Sequence, residues 1–400
     1  MDKNMEQKIE EFLTRGVSEV IDKDNLKKRL LSGERLRIKL GIDPTSPNLH
    51  LGRAVTLLKM KDLQEMGHQI VLIIGDFTGV IGDTSDKESE RPMLVEDVVE
   101  ENLKTYAKQA GKLLDMDKVE LHRNSEWLGK LTYKEITRQA NAFSVAEFIH
   151  RENIKKRLDE GTRVSLREVL YPLMQGYDSV VLKADLELGG TDQRFNLLAG
   201  RELQREYGQQ PQDVMMLNLI EGTDGRKMSS SWGNTINLLD EPNTMLGKVM
   251  SMGDELIVKY FVHCTRVSME KVSEIEKGME KGELNPRDAK LELAEEITRI
   301  YHGEENAKEA REYFIRTISK KETPKEVAEF EIEKSEIKLA EFLVFSGNAS
   351  SMSEARRKIE QGGVSVDEEK LLDPQMILGK DFDGKVFKIG KFGFAKIRFK

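Results

Sequence analysis

The sequence predicts an α/β protein in three parts. A parallel-sheet domain with a helical insertion spans 1–237, a helical domain spans 238–319, and a small α+β module spans 335–400 beyond a linker at 320–334. Three observations carry this prediction. In the first half, apolar strand-like runs alternate with amphipathic helical runs, the order that builds a parallel sheet covered by helices. After Asn237 that alternation stops, and charged stretches with helical apolar spacing, such as LELAEEITRIYHG, take over. The last segment returns to short strands around two short helical runs. A length of 400 residues, at roughly 150 per domain, agrees with this division.

Each element has its own signal. From Arg35 to Gly41 the run RLRIKLG alternates as a strand, and DPTSPNLH is a turn cluster leading into the helical run RAVTLLKMKDLQEMG. A second strand, QIVLIIGD, follows at once. The order recurs with SVVLKADLELGG as a strand, DQRFNLLAGRELQREYG as a helix and DVMMLNLIEG as a strand. This is a Rossmann-like arrangement, and nucleotides bind such sheets at the carboxyl ends of the strands. From about Glu126 to Leu170 runs the helical insertion, which carries EITRQANAFSVAEFIHREN. The highly charged KKETPKEVAEFEIEKSE, with Pro324, marks the linker.

Composition narrows the function classes. Hydrophobic residues make up 38% and charged residues 34%, the mean hydropathy is −0.52, and no run approaches the ~18 apolar residues of a membrane span. The first residues, MDKNMEQKIEEFLTRG, lack the apolar core of a secretory signal. Cys264 is the single cysteine, so an internal disulfide and a cysteine-cluster metal site are excluded. A reducing cytoplasm is the expected compartment. The net charge of −8 argues at face value against a nucleic-acid partner. That average hides an asymmetry: Ser335 to Lys400 hold twelve Lys and Arg against ten Asp and Glu, and the last sixteen residues hold six cations and no acid.

Two loops stand out chemically. Pro47-Asn48-Leu49-His50-Leu51-Gly52-Arg53 lies between a strand and a helix. A glycine there lets a flat ring approach the backbone, and a neutral histidine can hydrogen-bond a phosphate oxygen as charge grows on it. Far downstream, Gly225-Arg226-Lys227-Met228-Ser229-Ser230-Ser231 offers cations and hydroxyls to a polyphosphate. Taken singly, the first also reads as an ordinary helix start and the second as a polar surface turn. Taken together and in this order, they resemble the HIGH and KMSKS motifs of class I aminoacyl-tRNA synthetases. Tyr171-Pro-Leu-Met-Gln175-Gly-Tyr177-Asp178, Gly189-Gly190-Thr191-Asp192-Gln193, Gly41-Ile-Asp43-Pro-Thr45 and Thr78-Gly79-Val-Ile-Gly82-Asp83 narrow the resemblance to the bacterial tyrosyl family.

The resemblance implies a role for each matching residue. Asp178 would accept the phenol hydroxyl of L-tyrosine; Asp83, Tyr171 and Gln175 would hold its ammonium; and Gln193 would lie near its carboxylate. Asp43, His50, Gly52, Arg53, Gly190, Asp192 and Lys227 would bind ATP. Thr45 and His50 would meet the γ-phosphate side, while Lys87, Arg91, Lys227 and Ser230 would act on the departing pyrophosphate. The reaction implied is adenylation of tyrosine, then transfer to the terminal adenosine of tRNA(Tyr). Mg2+ would arrive with ATP, since the sequence offers no dedicated metal cage. Family members pair through the helical insertion, which implies a homodimer. The segments from Ile337 to Leu343 and from Ala349 to Ile359, then QGGVSVDEEKL, resemble a ribosomal-protein-S-four-like RNA-binding domain. There Ser353 is the expected helix cap and Arg356, Arg357 and Lys358 the expected phosphate contacts. On the residues alone, Tyr171, Gln175 and Asp178 fall on one helix face and equally suit a buried polar network. Lys87 and Arg91 likewise suit a solvated loop, and the Arg-Arg-Lys run a solvated helix face.

Three positions depart from the family pattern. Arg53 stands where the first motif commonly ends in histidine, and Ser230 where the second commonly has lysine. Lys39 stands where a second tyrosine commonly meets the substrate phenol, which leaves more of the specificity on Asp178. Two alternatives stay open at this point: the related tryptophanyl enzyme, and a non-catalytic RNA-binding relative that keeps the fold.

Overall fold

The computed structural model describes residues 3–83, 96–319, 327–349, 351–367, 369–390 and 393–400. Lys87 and Arg91 lie outside the described residues. In chain order the helices are α1 (Lys3–Thr14), α2 (Lys23–Ser32), α3 (Leu51–Glu65), α4 (Asp76–Ile81), α5 (Glu96–Ala110), α6 (Ser125–Leu128), α7 (Tyr133–Asn141), α8 (Val145–Ile149) and α9 (Glu152–Asp159). There follow α10 (Leu166–Leu182), α11 (Arg194–Glu206), α12 (Pro242–Ser251), α13 (Ile257–Cys264), α14 (Met269–Glu280), α15 (Pro286–His302), α16 (Glu304–Phe314), α17 (Leu339–Phe345) and α18 (Met352–Glu360). The chain divides into two compact units, one of residues 1–240 with 251–301, the other of 241–250 with 302–400. The helices of the segment expected as a separate domain, 238–319, are thereby shared between the two units.

The first unit is built on a six-stranded sheet of β1 (Val17–Ile21), β2 (Arg37–Ile42), β3 (Gln69–Ile74), β4 (Val119–Arg123), β5 (Leu186–Gly190) and β6 (Asp213–Leu217), in the spatial order β1-β6-β5-β2-β3-β4. Five strands are parallel, and β1 pairs antiparallel with β6 at the edge. The interior strands are apolar on both faces because helices cover both; every residue of β6 is buried. Strand order reverses between β2 and β5, and a crevice opens at the carboxyl ends of strands at such a reversal.

One strand expectation is corrected. SVVL of SVVLKADLELGG is the last turn of α10, and the strand begins only at Leu186. Lys183 ends the helix in the left-handed conformation (φ 50°), and the Ala184 N–H closes on the Ser179 carbonyl. Packing of α10 on α11 overrides the strand preference of paired valines. Gly176 makes that packing close, since a Cβ there would lie 3.1 Å from the Ala199 backbone. The insertion consists of short helices α6 to α9, and α10 starts at Leu166, inside the expected boundary, behind a Ser165–Glu168 capping box.

In the second unit, two helices and seven short strands form the C-terminal part among the described residues. A five-stranded sheet takes the order β10-β9-β12-β13-β7, from β7 (Glu329–Ile332), β9 (Val364–Val366), β10 (Glu369–Lys370), β12 (Val386–Ile389) and β13 (Gly393–Phe399). A separate pair joins β8 (Ile337–Lys338) to β11 (Ile377–Leu378). Leu339, Phe342, Leu343, Ile359, Val364, Phe387 and Ile397 form its core. Two expectations shift here. β7 lies within the expected linker and pairs in parallel with β13, so part of that segment is sheet. The cap of α18 is Ser351, whose hydroxyl accepts the Glu354 N–H at 3.2 Å, and not Ser353, which is inside the helix. Among the described residues no helix is long and apolar enough to cross a membrane.

Candidate active site

A cavity of about 290 Å³ opens where β2 and β5 diverge. Asp43, Thr45, His50, Gly52, Arg53, Asp83, Tyr171, Gln175, Asp178, Gly190, Asp192, Gln193, Lys227 and Ser230 all line it. Residues spread over nearly two hundred positions thus converge on one space. Arg226 is not among the lining residues; it pairs with Asp224 and lies over the Trp232 ring at 4.8 Å.

The first loop is held by local geometry and by the segment after the second loop. His50 precedes α3, and its backbone bridges to Asn237, while the Leu51 N–H donates to Ile236 and the Leu238 N–H to Leu49. The first loop is therefore backbone-paired to residues 236–238, just past the second motif. The Gly52 N–H lies 3.3 Å from Met228 Sδ, and the Ser230 hydroxyl 3.3 Å from that of Ser46. A Cβ at Gly52 would lie 3.0 Å from His50 Nδ1, so any larger residue would press on the imidazole. That Nδ1 is buried without a hydrogen-bond partner in the chain. Burial, reinforced by the cations of Arg53 and Lys227, drives His50 down to about 3, so the ring is neutral at working pH. Arg53 donates to the Asp43 carbonyl at 3.2 Å and to Thr45 Oγ1 at 3.3 Å, bracing the end of β2.

Asp43 and Tyr171, expected to serve different substrates, are joined: the phenol donates to Asp43 Oδ2 at 2.7 Å, and Thr78 donates to Oδ1 at 2.7 Å. Burial raises the Asp43 carboxyl against those two bonds and holds the Tyr171 phenol far above its usual value as a neutral donor. Gly75 makes room for this cluster, because a Cβ there would sit 2.1 Å from Asp43 Oδ1. Gln193 donates to Asp83 at 2.6 Å, and Lys227 pairs with Asp192 at 2.9 Å.

Asp178 is buried on α10 and accepts from Trp127 Nε1 at 2.7 Å and from Asn124 Nδ2 at 3.4 Å. Burial raises it to about 7, while the Lys39 charge and the two donors pull the other way. Lys39 does not stand in for a second phenol partner. It is buried against Glu187 at 2.9 Å and donates to the Gln175 carbonyl at 2.8 Å. Sequence reasoning singles out none of Asn124, Trp127 and Glu187, and Thr78 only as the start of its motif. The legible signal was charge out of place: Lys39 in RIKLGI and Glu187 in LELGG each interrupt a buried strand. In the C-terminal part, Arg356 and Arg357 are exposed, whereas Lys358 is bound to the Asn348 carbonyl and to Glu354, each at 2.7 Å.

Comparison with known proteins places this geometry. Residues 31–319 match the family described as tRNA synthetases class I (W and Y), and residues 319–391 match the tyrosine–tRNA ligase SYY-like C-terminal domain. The chain is 47% identical to a tyrosine–tRNA ligase of Thermotoga maritima, covering 96% of each protein, and 47% identical to one of Carboxydothermus hydrogenoformans, covering 97% of each. Among solved structures, an Archaeoglobus fulgidus tyrosyl-tRNA synthetase complexed with L-tyrosine superposes with a TM-score of 0.61 at 23% identity, covering 77% of this chain and 99% of that one. A C-terminally truncated mitochondrial tyrosyl-tRNA synthetase of Coccidioides posadasii superposes at 0.62 with 22% identity, covering 78% and 94%. These two share the fold. With a family match over most of its length and relatives this similar from end to end, the chain belongs to the class I tRNA synthetases of the tryptophan and tyrosine group.

Proposed function

We propose that the chain is a tyrosine–tRNA ligase that activates L-tyrosine with ATP to tyrosyl-adenylate and pyrophosphate, then transfers tyrosine to the terminal adenosine of tRNA(Tyr). The observation that carries the choice of amino acid is Asp178, a buried carboxylate lining the cavity and steadied by Trp127 and Asn124. A phenol hydroxyl can donate to it beside those two; a phenyl ring cannot and would still take the carboxylate's remaining access to water, and discrimination of this kind can reach ~10⁴ to 10⁵.

In this reading Asp83, Tyr171 and Gln175 face the substrate ammonium and Gln193 its carboxylate. Asp43, Gly190 and Asp192 belong to the ATP side with Gly52. No side-chain nucleophile is needed, because the tyrosine carboxylate itself attacks the α-phosphorus. The protein supplies orientation and a preorganised field: neutral His50, Thr45, Arg53, Lys227 and Ser230 around the transferring phosphoryl group. Lys87 and Arg91 are assigned to the departing pyrophosphate, and Mg2+ to the ATP it accompanies. Arg356 and Arg357 are the RNA contacts of the C-terminal part, and the compartment is the cytoplasm. A homodimer paired through the insertion is supported by exposed apolar side chains there: Tyr133 is 90% exposed, Leu166 73% and Val145 72%.

The test is ATP–pyrophosphate exchange driven by tyrosine, tryptophan or phenylalanine, followed by charging of tRNA(Tyr). Exchange with tyrosine alone is the expected result. Exchange with tryptophan alone overturns the substrate, and no exchange with any of the three overturns the enzyme.

A further inference from the structure

At the floor of the cavity, which Glu187 helps to line, Lys39 and Glu187 are cross-strand partners on β2 and β5, in the centre of the sheet. They are 0% and 1% exposed, and Lys39 Nζ lies 2.9 Å from Glu187 Oε1. A buried ion pair of this kind is often matched or bettered in stability by apolar residues of the same volume. What the pair holds is therefore more informative than what it stabilises. Lys39 donates to the Gln175 carbonyl and to the Ser179 hydroxyl, each at 2.8 Å. The Glu187 carboxylate accepts from Gln175 Nε2 at 3.2 Å, from Ser179 at 3.1 Å and from Gln212. Gln175 is gripped twice, at its backbone by Lys39 and at its side chain by Glu187.

A carboxylate can only accept hydrogen bonds. Beside Glu187, the Gln175 amide must turn its nitrogen inward, which points its oxygen away from that carboxylate. Gln175 lines the cavity. An amide oxygen is an acceptor suited to an ammonium; the reversed amide would offer a donor and repel it. We propose that Glu187, held by Lys39, is a positioning residue for amino-acid recognition: it locks the Gln175 amide so that its oxygen receives the substrate ammonium. The proposal rests on the reading of this cavity as a tyrosine site and goes beyond it, since neither Lys39 nor Glu187 need touch the ammonium.

The test compares L-tyrosine with 3-(4-hydroxyphenyl)propionate, which keeps the phenol and carboxylate and lacks the ammonium, by calorimetric titration of the full chain. In Lys39→Met/Glu187→Leu, which leaves no buried charge unpaired, the tyrosine dissociation constant should rise roughly ten- to a hundredfold, the size of one charge-assisted hydrogen bond. The analogue should change by no more than about twofold. In a Gln175→Ala background the same pair of substitutions should add no further loss of tyrosine affinity, because the residue it acts through is gone. Equal weakening of both ligands, unchanged tyrosine affinity, or full additivity with Gln175→Ala would each overturn the assignment. Lys39→Met/Glu187→Gln, closer in shape, serves if the first variant does not fold. With Lys39 absent the two amides can adopt either mutual orientation, so the tyrosine-to-analogue ratio should again fall, and an unchanged ratio overturns the proposal. Failure of the unaltered chain to bind tyrosine at all would instead overturn the tyrosine reading itself.

Discussion

At the scale of single residues, the most consequential group is Asp178, because in the proposed tyrosine site its charge is what would decide the amino acid accepted. Burial lifts its carboxyl to about 7, with Glu187 acting in the same sense, while Lys39, Trp127 and Asn124 favour the ionised form. Between pH 3.8 and about 7 the folded protein holds a proton that the unfolded chain releases, so this group's contribution to stability falls as pH rises through that window. In the proposed tyrosine site recognition runs the other way: the carboxylate that would accept the phenol's hydrogen bond is present above about pH 7. The KM for tyrosine in pyrophosphate exchange should therefore climb as pH drops below that value, and selectivity over phenylalanine should shrink with it. Trp127→Phe removes a donor to the carboxylate and should move that limb to higher pH. A pH-independent KM for tyrosine between 6 and about 8.5 would contradict this assignment. Asp178 was legible in the sequence through its motif. Trp127 and Asn124 were not, because they reach it from 51 and 54 positions away, and such a contact leaves no local pattern.

At the scale of elements, the stretch from Pro44 to Leu49 illustrates what periodicity cannot show. It has no regular structure, yet it carries Thr45 and leads into His50, so its backbone groups need partners from elsewhere. Helix α5 supplies them. Asn102 donates to the Pro44 carbonyl at 2.8 Å, Tyr106 to Ser46 at 2.5 Å and Gln109 to Pro47 at 2.9 Å, while Gln109 Oε1 accepts the Leu49 N–H at 2.7 Å. Gln109 is fully buried. Replacing it with leucine strands the Leu49 N–H and leaves the Pro47 carbonyl to the Thr105 hydroxyl alone, and should lower unfolding free energy by about 1–3 kcal/mol, measured by denaturant titration. Because the loop carries Thr45 and His50, the same variant should lose about tenfold in exchange kcat, a misplacement effect, with little change in KM for tyrosine. A variant less stable but equally fast would show that the brace serves stability alone. The helical and strand runs around this loop were legible because their apolar spacing repeats. The end of α10 was misread because its paired valines favour a strand locally, while packing against α11 decides the matter.

At the scale of the whole molecule, the net charge of −8 means that tRNA must be met by local cations. The last sixteen residues look like the obvious place in the sequence, yet most of their charge is already neutralised. Lys396 and Arg398 pair with Glu329, Lys400 with Glu331 and Lys385 with Asp367. β7 brings Glu329 and Glu331 alongside β13, so the strand hidden in the expected linker is what cancels the basic tail. The three cations of α18 divide differently, with Lys358 held by Glu354 and Arg356 and Arg357 exposed. Phosphate contacts should therefore centre on α18. Arg356→Glu/Arg357→Glu should weaken tRNA(Tyr) binding and reduce the slope of log affinity against log salt by roughly 1.5, for two lost phosphate contacts. Tyrosine-dependent pyrophosphate exchange, which needs no tRNA, should keep its rate. Lys396→Ala/Arg398→Ala, which removes cations already paired, should leave the salt slope within about 0.5 of its original value. If the second variant flattens the slope and the first does not, the RNA lies along β13 rather than α18.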